Sequence, residues 1–309
     1  MQRSCVNFLA KNKVKENFMR EVIVGSRDSL LAVAQTDIVV NYINEKCPDV
    51  AAKMLTMKTT GDKILDRTLD KAGGKGLFVK ELDRALLEGR TQLSVHSLKD
   101  LPVEIDRDLP VLGYLASESP VDVLVLPKDK KEIDFNLPIG TSSSRRARQF
   151  LELYKDAKIK SVRGNLQTRL KKLDSGEYGA LILAKAGLVR LGLAGRINRE
   201  FTVDEIIPAA GQGVIAVQGN SVEDYSYLTP LFSEQTRLRV VCERAFIERL
   251  DGGCSATIGA HALVEGDKIT LWGYYYDETV SKGVRGKISG NACDGRELAF
   301  DLADKLKGE

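Results

Sequence analysis

Two short segments, Thr141-Ser142-Ser143-Ser144-Arg145-Arg146 and Arg163-Gly164-Asn165-Leu166-Gln167-Thr168-Arg169, each follow an apolar run and open a helical pattern. A helix start offers unpaired N–H groups at the positive end of its dipole, and guanidinium groups add forked, permanently charged donors. These residue types at these places suit a ligand carrying several carboxylate or phosphate groups. Arg27 and Ser29, at the first strand-to-helix turn, resemble a further anion anchor, although alone they read more simply as an exposed arginine and a helix cap. Lys75 and Phe78 lie where the glycine-rich Gly73-Gly74-Lys75-Gly76 meets a helix, a place for a phosphate cradle or a lid. The P-loop spacing is not met, because Gly76 and Leu77 follow the lysine where that motif requires Ser or Thr.

His96-Ser97-Leu98-Lys99-Asp100-Leu101-Pro102 follows a strand and ends in a proline that stops regular structure. Taken alone, Asp100 is a turn residue more often than a catalytic one. A cation-rich cleft changes that balance, since it favours the ionised form of a carboxylate, and an ionised carboxylate can steady a cationic intermediate. His96 and Ser97 are adjacent on a strand, point to opposite faces and form no nucleophile–base pair, so His96 reads as structural. Cys254 follows Gly252-Gly253, a pair that exposes the thiol on a loop where a group could be attached covalently. Cys5, Cys47, Cys242 and Cys293 read as small buried thiols.

The elements that must position these residues alternate. Glu21 to Gly25 is a buried strand, Asp28 or Ser29 caps a helix to about Lys46, and strands follow at Ala52 to Met57 and Leu93 to Ser97, with a helix from Phe78 to Leu87 between them. Further strands at Val121 to Leu126, Ile139 to Thr141, Ile159 to Val162 and Ala180 to Ala184 are separated by helices near Arg145 to Tyr154, Leu166 to Leu173 and Gly187 to Leu193. Such alternation predicts parallel sheets flanked by helices, with ligands at the carboxyl ends of strands. After Gln235 the pattern becomes a helix to Leu250, a run of three strands and a closing helix, which predicts a separate α+β domain.

The chain has 309 residues, 43% hydrophobic and 29% charged, enough for two or three domains with cores of their own. Its formal charge of +3 makes the basic character local and argues against a general nucleic-acid coat. Five scattered cysteines without a Cys-x-x-Cys pair, and only His96 and His261, predict a reducing compartment and no protein-held metal. Residues up to about Met19 are polar and basic with no secretory apolar stretch, and read as a disordered leader. No apolar run has the length of a membrane span.

Taken together, HSLKD at 96–100, GGKGLFVKEL at 73–82, GTSSSRR at 140–146, RGNLQTRL at 163–170, AGQGV at 210–214 and GGC at 252–254 closely resemble the porphobilinogen deaminase (hydroxymethylbilane synthase) family. The resemblance runs from about Val22 to near the end, with six motifs in the family's order and spacing. Small departures are Ser144 where a larger apolar residue is common, Thr257 where proline is frequent, and Gln218 where an acidic residue is frequent.

What the resemblance implies is an enzyme that joins four porphobilinogen molecules head to tail with loss of ammonia and yields hydroxymethylbilane. The growing chain would be held on a dipyrromethane cofactor attached through a thioether at Cys254. Asp100 would be the catalytic residue. Arg27, Arg145, Arg146, Arg163, Arg169 and Arg190 would form the carboxylate-binding set, assisted by Ser29, Lys75, Lys99 and Ser143, with Phe78 in a lid or stacking role. The implied fold is α/β: two lobes like those of periplasmic binding proteins, spanning 21–116 plus 213–231 and 117–212, and a smaller α+β domain at 235–309 bearing the cysteine loop. Residues 1–20 would be the leader and about Ile64 to Gly74 a lid. A cytoplasmic monomer binding porphobilinogen, neither nucleic acid nor membrane, is expected. A two-lobed, non-catalytic binder of an acidic small molecule is the competing reading, and it leaves Asp100 and Cys254 without a role.

Overall fold

The computed structural model describes residues 19–63, 78–250, 257–278 and 280–308. The first sheet begins with β1 (Arg20–Arg27), whose Val22 and Val24 are fully buried. Helix α1 (Leu30–Lys46) crosses over it, started by Ser29, whose Oγ accepts the Ala32 N–H at 3.3 Å. The crossover leads to β2 (Val50–Met57), parallel to β1. A single turn α2 (Thr60–Lys63) and helix α3 (Lys80–Leu87) precede β3 (Leu93–Ser97), parallel to β1 on its other side. Val39 and Ile43 of α1 pack with Val22, Val24, Leu93 and Val95, so the apolar stripe of the helix and the apolar face of the sheet close one core. A 3-10 turn, Leu98–Asp100, follows β3, and β4 (Val111–Tyr114) ends this stretch of chain.

The second sheet contains β5 (Asp122–Val125), β6 (Ile139–Gly140), β7 (Ile159–Lys160), β8 (Ala180–Ala184) and β9 (Arg199–Glu200), with helices α4 (Ser144–Leu153), α5 (Leu166–Asp174) and α6 (Lys185–Arg190) between them. Its strand order is β7-β6-β8-β5-β9. Side chains alternate across it: Val123, Val125, Leu181 and Leu183 meet Val162 and Leu173, while Leu124, Ala180 and Ile182 meet Phe150 and Phe201. A sheet covered on both faces explains why these strands are continuously apolar. Each large aliphatic side chain so buried contributes about 1.5–3 kcal/mol, several times an exposed ion pair, so the two cores set the lobe.

Strand β10 (Ile215–Gly219) then returns to the first sheet and inserts between β3 and β4, giving the order β2-β1-β3-β10-β4. The expected parallel sheets are therefore mixed. β10 is antiparallel to β3 and β4, and β5 is antiparallel to β8 and β9. The cause is the double crossing between lobes, which brings β10 back from the opposite direction. β4 and β9 have four and two residues, and β10 follows β9 with no helix between them.

The third unit is an antiparallel meander of β11 (Ile258–Glu265), β12 (Lys268–Asp277) and β13 (Lys282–Asn291), with α7 (Glu234–Arg249) and α8 (Gly295–Lys307) packed on it. Phe246, Leu271 and Leu302 lie in its core. Cys47 and Cys242 are buried as the sequence suggests, but Cys293 is exposed with its Sγ against Asp294, because the 3-10 turn Ala292–Asp294 lies outside the strand faces. Cys5 lies outside the described residues. Among the described residues no helix is long and apolar enough to cross a membrane.

Candidate active site

Between the first two sheets lies a cavity of about 930 Å³. Three helices direct their first turns at it: α1 capped by Ser29, α4 capped by Ser143, whose Oγ accepts the Arg146 N–H at 3.4 Å, and α5 capped by Asn165, which accepts the Thr168 N–H at 2.9 Å. Arg27, Lys58, Lys99, Arg146, Arg163, Arg169, Lys172 and Arg190 line it, with Asp28 and Asp100 as the acids. Helix dipoles and cations thus carry the same sign, and the cavity is built for anions.

Asp100 ends the 3-10 turn after β3, where the Leu101 N–H bonds to Leu98 O at 3.0 Å. Its Oδ2 lies 3.4 Å from Arg27 Nη1. The Arg27 guanidinium stacks on the Phe78 ring, 4.3 Å from its centroid, and the same ring covers Gly61, where a Cβ would meet it at 2.3 Å. Phe78 is therefore a platform that fixes the arginine facing the carboxylate. Beside it, Gln35 Nε2 donates to Ser97 Oγ at 2.9 Å and ties α1 to β3.

Lys99 reaches deep into the cavity while its surface remains open to water entering the cleft. Enclosure, followed by the charge of Arg146, pulls its pKa down to about 8, against the opposing pull of Asp100 and Asp122. Arg169 falls to about 10 through enclosure and then the charges of Arg146 and Arg163, while its Nε donates to Gly164 O at 2.8 Å. Enclosure also lowers Arg190, against the pull of Glu118, and its Nη2 donates to Gly213 O at 2.5 Å. These cations repel one another, so a polyanion entering the cleft would relieve both penalties.

Of the residues predicted from sequence, Asp100, Arg27, Phe78, Ser29, Lys99, Ser143, Arg146, Arg163, Arg169 and Arg190 meet in this cavity. Lys75 and Cys254 lie outside the described residues. Arg145 departs from the expectation and does not line the cavity. It is 3% exposed, its Nη1 donates to Ile207 O at 2.6 Å and its Nη2 pairs with Asp122 Oδ2 at 2.8 Å. Both arginines of α4 reach Asp122, and the Ile207 carbonyl holds the Arg145 guanidinium inside the lobe while Arg146 lines the cleft.

Sequence reasoning missed the group that holds these arginines. Asp122, fully buried, accepts Arg146 Nε at 2.9 Å and Gln212 Nε2 at 2.8 Å. Burial would raise its pKa, but Arg145 and Arg146 outweigh that and hold it down at about 2. Gln212 also donates to Pro120 O at 2.6 Å and accepts Arg146 Nη2 at 3.0 Å and Lys99 Nζ at 3.4 Å. The glycines around Gln212 carried the signal, since Gly211 and Gly213 have φ of +69° and +87° and a Cβ on Gly213 would meet Glu118 O at 2.4 Å. For Asp122, first residue of an apolar strand, the pattern carried none.

Fold and site together define a two-lobed α/β protein with a cation-lined interlobe cleft, the Asp100 carboxylate facing it, and a helix-backed sheet domain beside it. The family model described as "Porphobilinogen deaminase, dipyromethane cofactor binding domain" matches residues 22–227, and "Porphobilinogen deaminase, C-terminal domain" matches 237–308. The chain belongs to the porphobilinogen deaminase family. The porphobilinogen deaminase of Acetivibrio thermocellus is 51% identical over 289 residues, covering 93% of this chain and 99% of its own length. That of Ruminiclostridium josui is 47% identical over 289 residues, covering 94% and 98%. Among solved structures, a TRAP periplasmic solute binding protein from Desulfovibrio salexigens aligns with a TM-score of 0.39 at 13% identity, over 69% of this chain and 72% of its own.

Proposed function

We propose that the cleft condenses four porphobilinogen molecules head to tail on a dipyrromethane primer anchored at Cys254, with loss of ammonia at each addition, and that hydroxymethylbilane is the product. The chain is a transferase of tetrapyrrole biosynthesis, and its family sets aside the non-catalytic binder. The donor set fits the group: acetate and propionate arms are carboxylates, and the cleft faces them with guanidinium forks and three helix starts. When bound, the dipyrromethane supplies the pyrrole carbon to which the first substrate joins.

Arg146, Arg163, Arg169 and Arg190, with Lys99 and Lys75, bind the carboxylate arms. Ser29 and Ser143 set the helix starts that assist them. Asp100, oriented by Arg27 over Phe78, accepts pyrrole N–H bonds and steadies the azafulvene left when porphobilinogen loses its amine as ammonia. Arg145 acts indirectly, by fixing Asp122 and through it Arg146. The carrying observation is that Asp100, paired with Arg27, stands among these cations in a single cleft. The lobes are assigned to 21–116 plus 213–231 and to 117–212, the third domain to 235–309, and the protein to the cytoplasm as a monomer.

The test is the intact mass of the purified protein beside Cys254→Ser. An excess matching two linked pyrroles is expected in the wild type and absent from the variant; equal masses would remove the covalent anchor and the reading with it.

A further inference from the structure

Helix α7 carries a buried ion cluster that meets the cleft through the backbone of a lining residue, Gly211. Glu243, fully buried, receives the Gly211 N–H on Oε2 at 2.6 Å; on Oε1 it receives Arg239 Nε at 2.6 Å and the Ala262 N–H at 2.9 Å, with His261 Nδ1 at 3.2 Å. Arg239 Nη2 donates to Gln212 O at 2.9 Å. The helix therefore grips the peptide groups on either side of the Gly211–Gln212 bond, and Gln212 is the residue whose amide bridges Lys99 and Arg146. Its next residue, Arg244, donates to the carbonyls of Pro102 and Val103 just beyond Asp100, and Val240 packs with Leu98, Leu101 and Val214.

A buried ion cluster is seldom worth more to stability than apolar side chains of equal volume, so its value lies in where it holds the chain. We propose that Glu243 is a positioning residue for the reaction: it holds Gly211 and, with Arg239, the Gln212 carbonyl, and so fixes the Gln212 amide that spaces Lys99 from Arg146. The inference rests on the porphobilinogen reading. Glu243→Gln places an amide against the Gly211 N–H and removes one acceptor at nearly constant volume.

The experiment measures ammonia release from porphobilinogen by Glu243→Gln, Gln212→Ala and the double variant. Expected is a fall in kcat of about 10- to 100-fold in Glu243→Gln, the scale of a small misplacement of reacting groups, with KM nearly unchanged. The double variant should then be no slower than Gln212→Ala, because both act through one amide. Arg239→Lys, which keeps the charge and shortens the reach to Gln212 O, should show the same dependence on Gln212. Multiplicative losses, or full turnover in Gln212→Ala, overturn the proposal, as does failure of both α7 variants to fold. Wild-type protein that releases no ammonia would instead sink the reading beneath it.

Discussion

Asp100 is a carboxylate whose ion pair to Arg27 is long and partly open to water, with the two side chains 32% and 21% exposed. Such a pair contributes at most about 1 kcal/mol to the fold, so removing the charge should leave the protein standing. Asp100→Asn keeps the volume and one acceptor oxygen but cannot offset a positive charge on the substrate. We expect ammonia release to fall about 100-fold or more with a thermal midpoint near that of the wild type; release near the wild-type rate would take Asp100 out of the chemistry. Residues of this kind were legible in the sequence because function leaves them in loops, after strands or before helices. Gln212 was half legible, as the glycine-flanked residue of AGQGV at 210–214. Asp122 and Glu243 were not legible, since a charge within an apolar strand or a helix is explained only by partners distant in the chain.

At the scale of elements, α4 separates two arginines that the sequence treats as one pair. Arg145 is locked to Asp122 and Ile207 O, whereas Arg146 lines the cleft, as does Arg163 ahead of α5. Arg145→Leu leaves a buried carboxylate short of a cation and should destabilise the protein by about 3–5 kcal/mol in urea unfolding. Arg163→Leu should barely move that curve yet reduce turnover by about 10-fold or more, the worth of a charge-assisted contact. Equal stabilities for the two variants would contradict the division. Helix starts near these residues were readable from periodicity, and at α1 from Ser29 as a cap, whereas the capping roles of Ser143 and Asn165 emerge only in the structure. Strand direction was not, because alternation of strand and helix says nothing about a strand that returns from another lobe.

For the whole molecule, His96 ties stability to pH. It is 5% exposed; burial, with the charge of Arg27 and against the Gln218 amide beside it, pulls its pKa from 6.5 to about 4. As pH falls through 6.5 the unfolded chain takes up a proton that the folded protein refuses until about 4, so stability is lost across that window. The loss is on the order of 3 kcal/mol. Asp83, pushed up to about 6 by burial and then Asp106, works in the opposite sense, gaining stability as pH falls from about 6 toward 3.8. Comparing wild type with His96→Gln subtracts everything else: the difference in urea midpoint should change between pH 6.5 and 4 and be flat above 7. A difference that is the same at every pH would show that His96 takes its proton normally.

The placement of β10 also has a consequence for biosynthesis. A nascent chain leaving the ribosome exposes β4 about a hundred residues before its partner is translated, and the intervening lobe must emerge first. Until Ile215–Gly219 arrives, the amino-terminal sheet presents an unpaired margin at β3, the type of surface that chaperones shield and that neighbouring nascent chains can join.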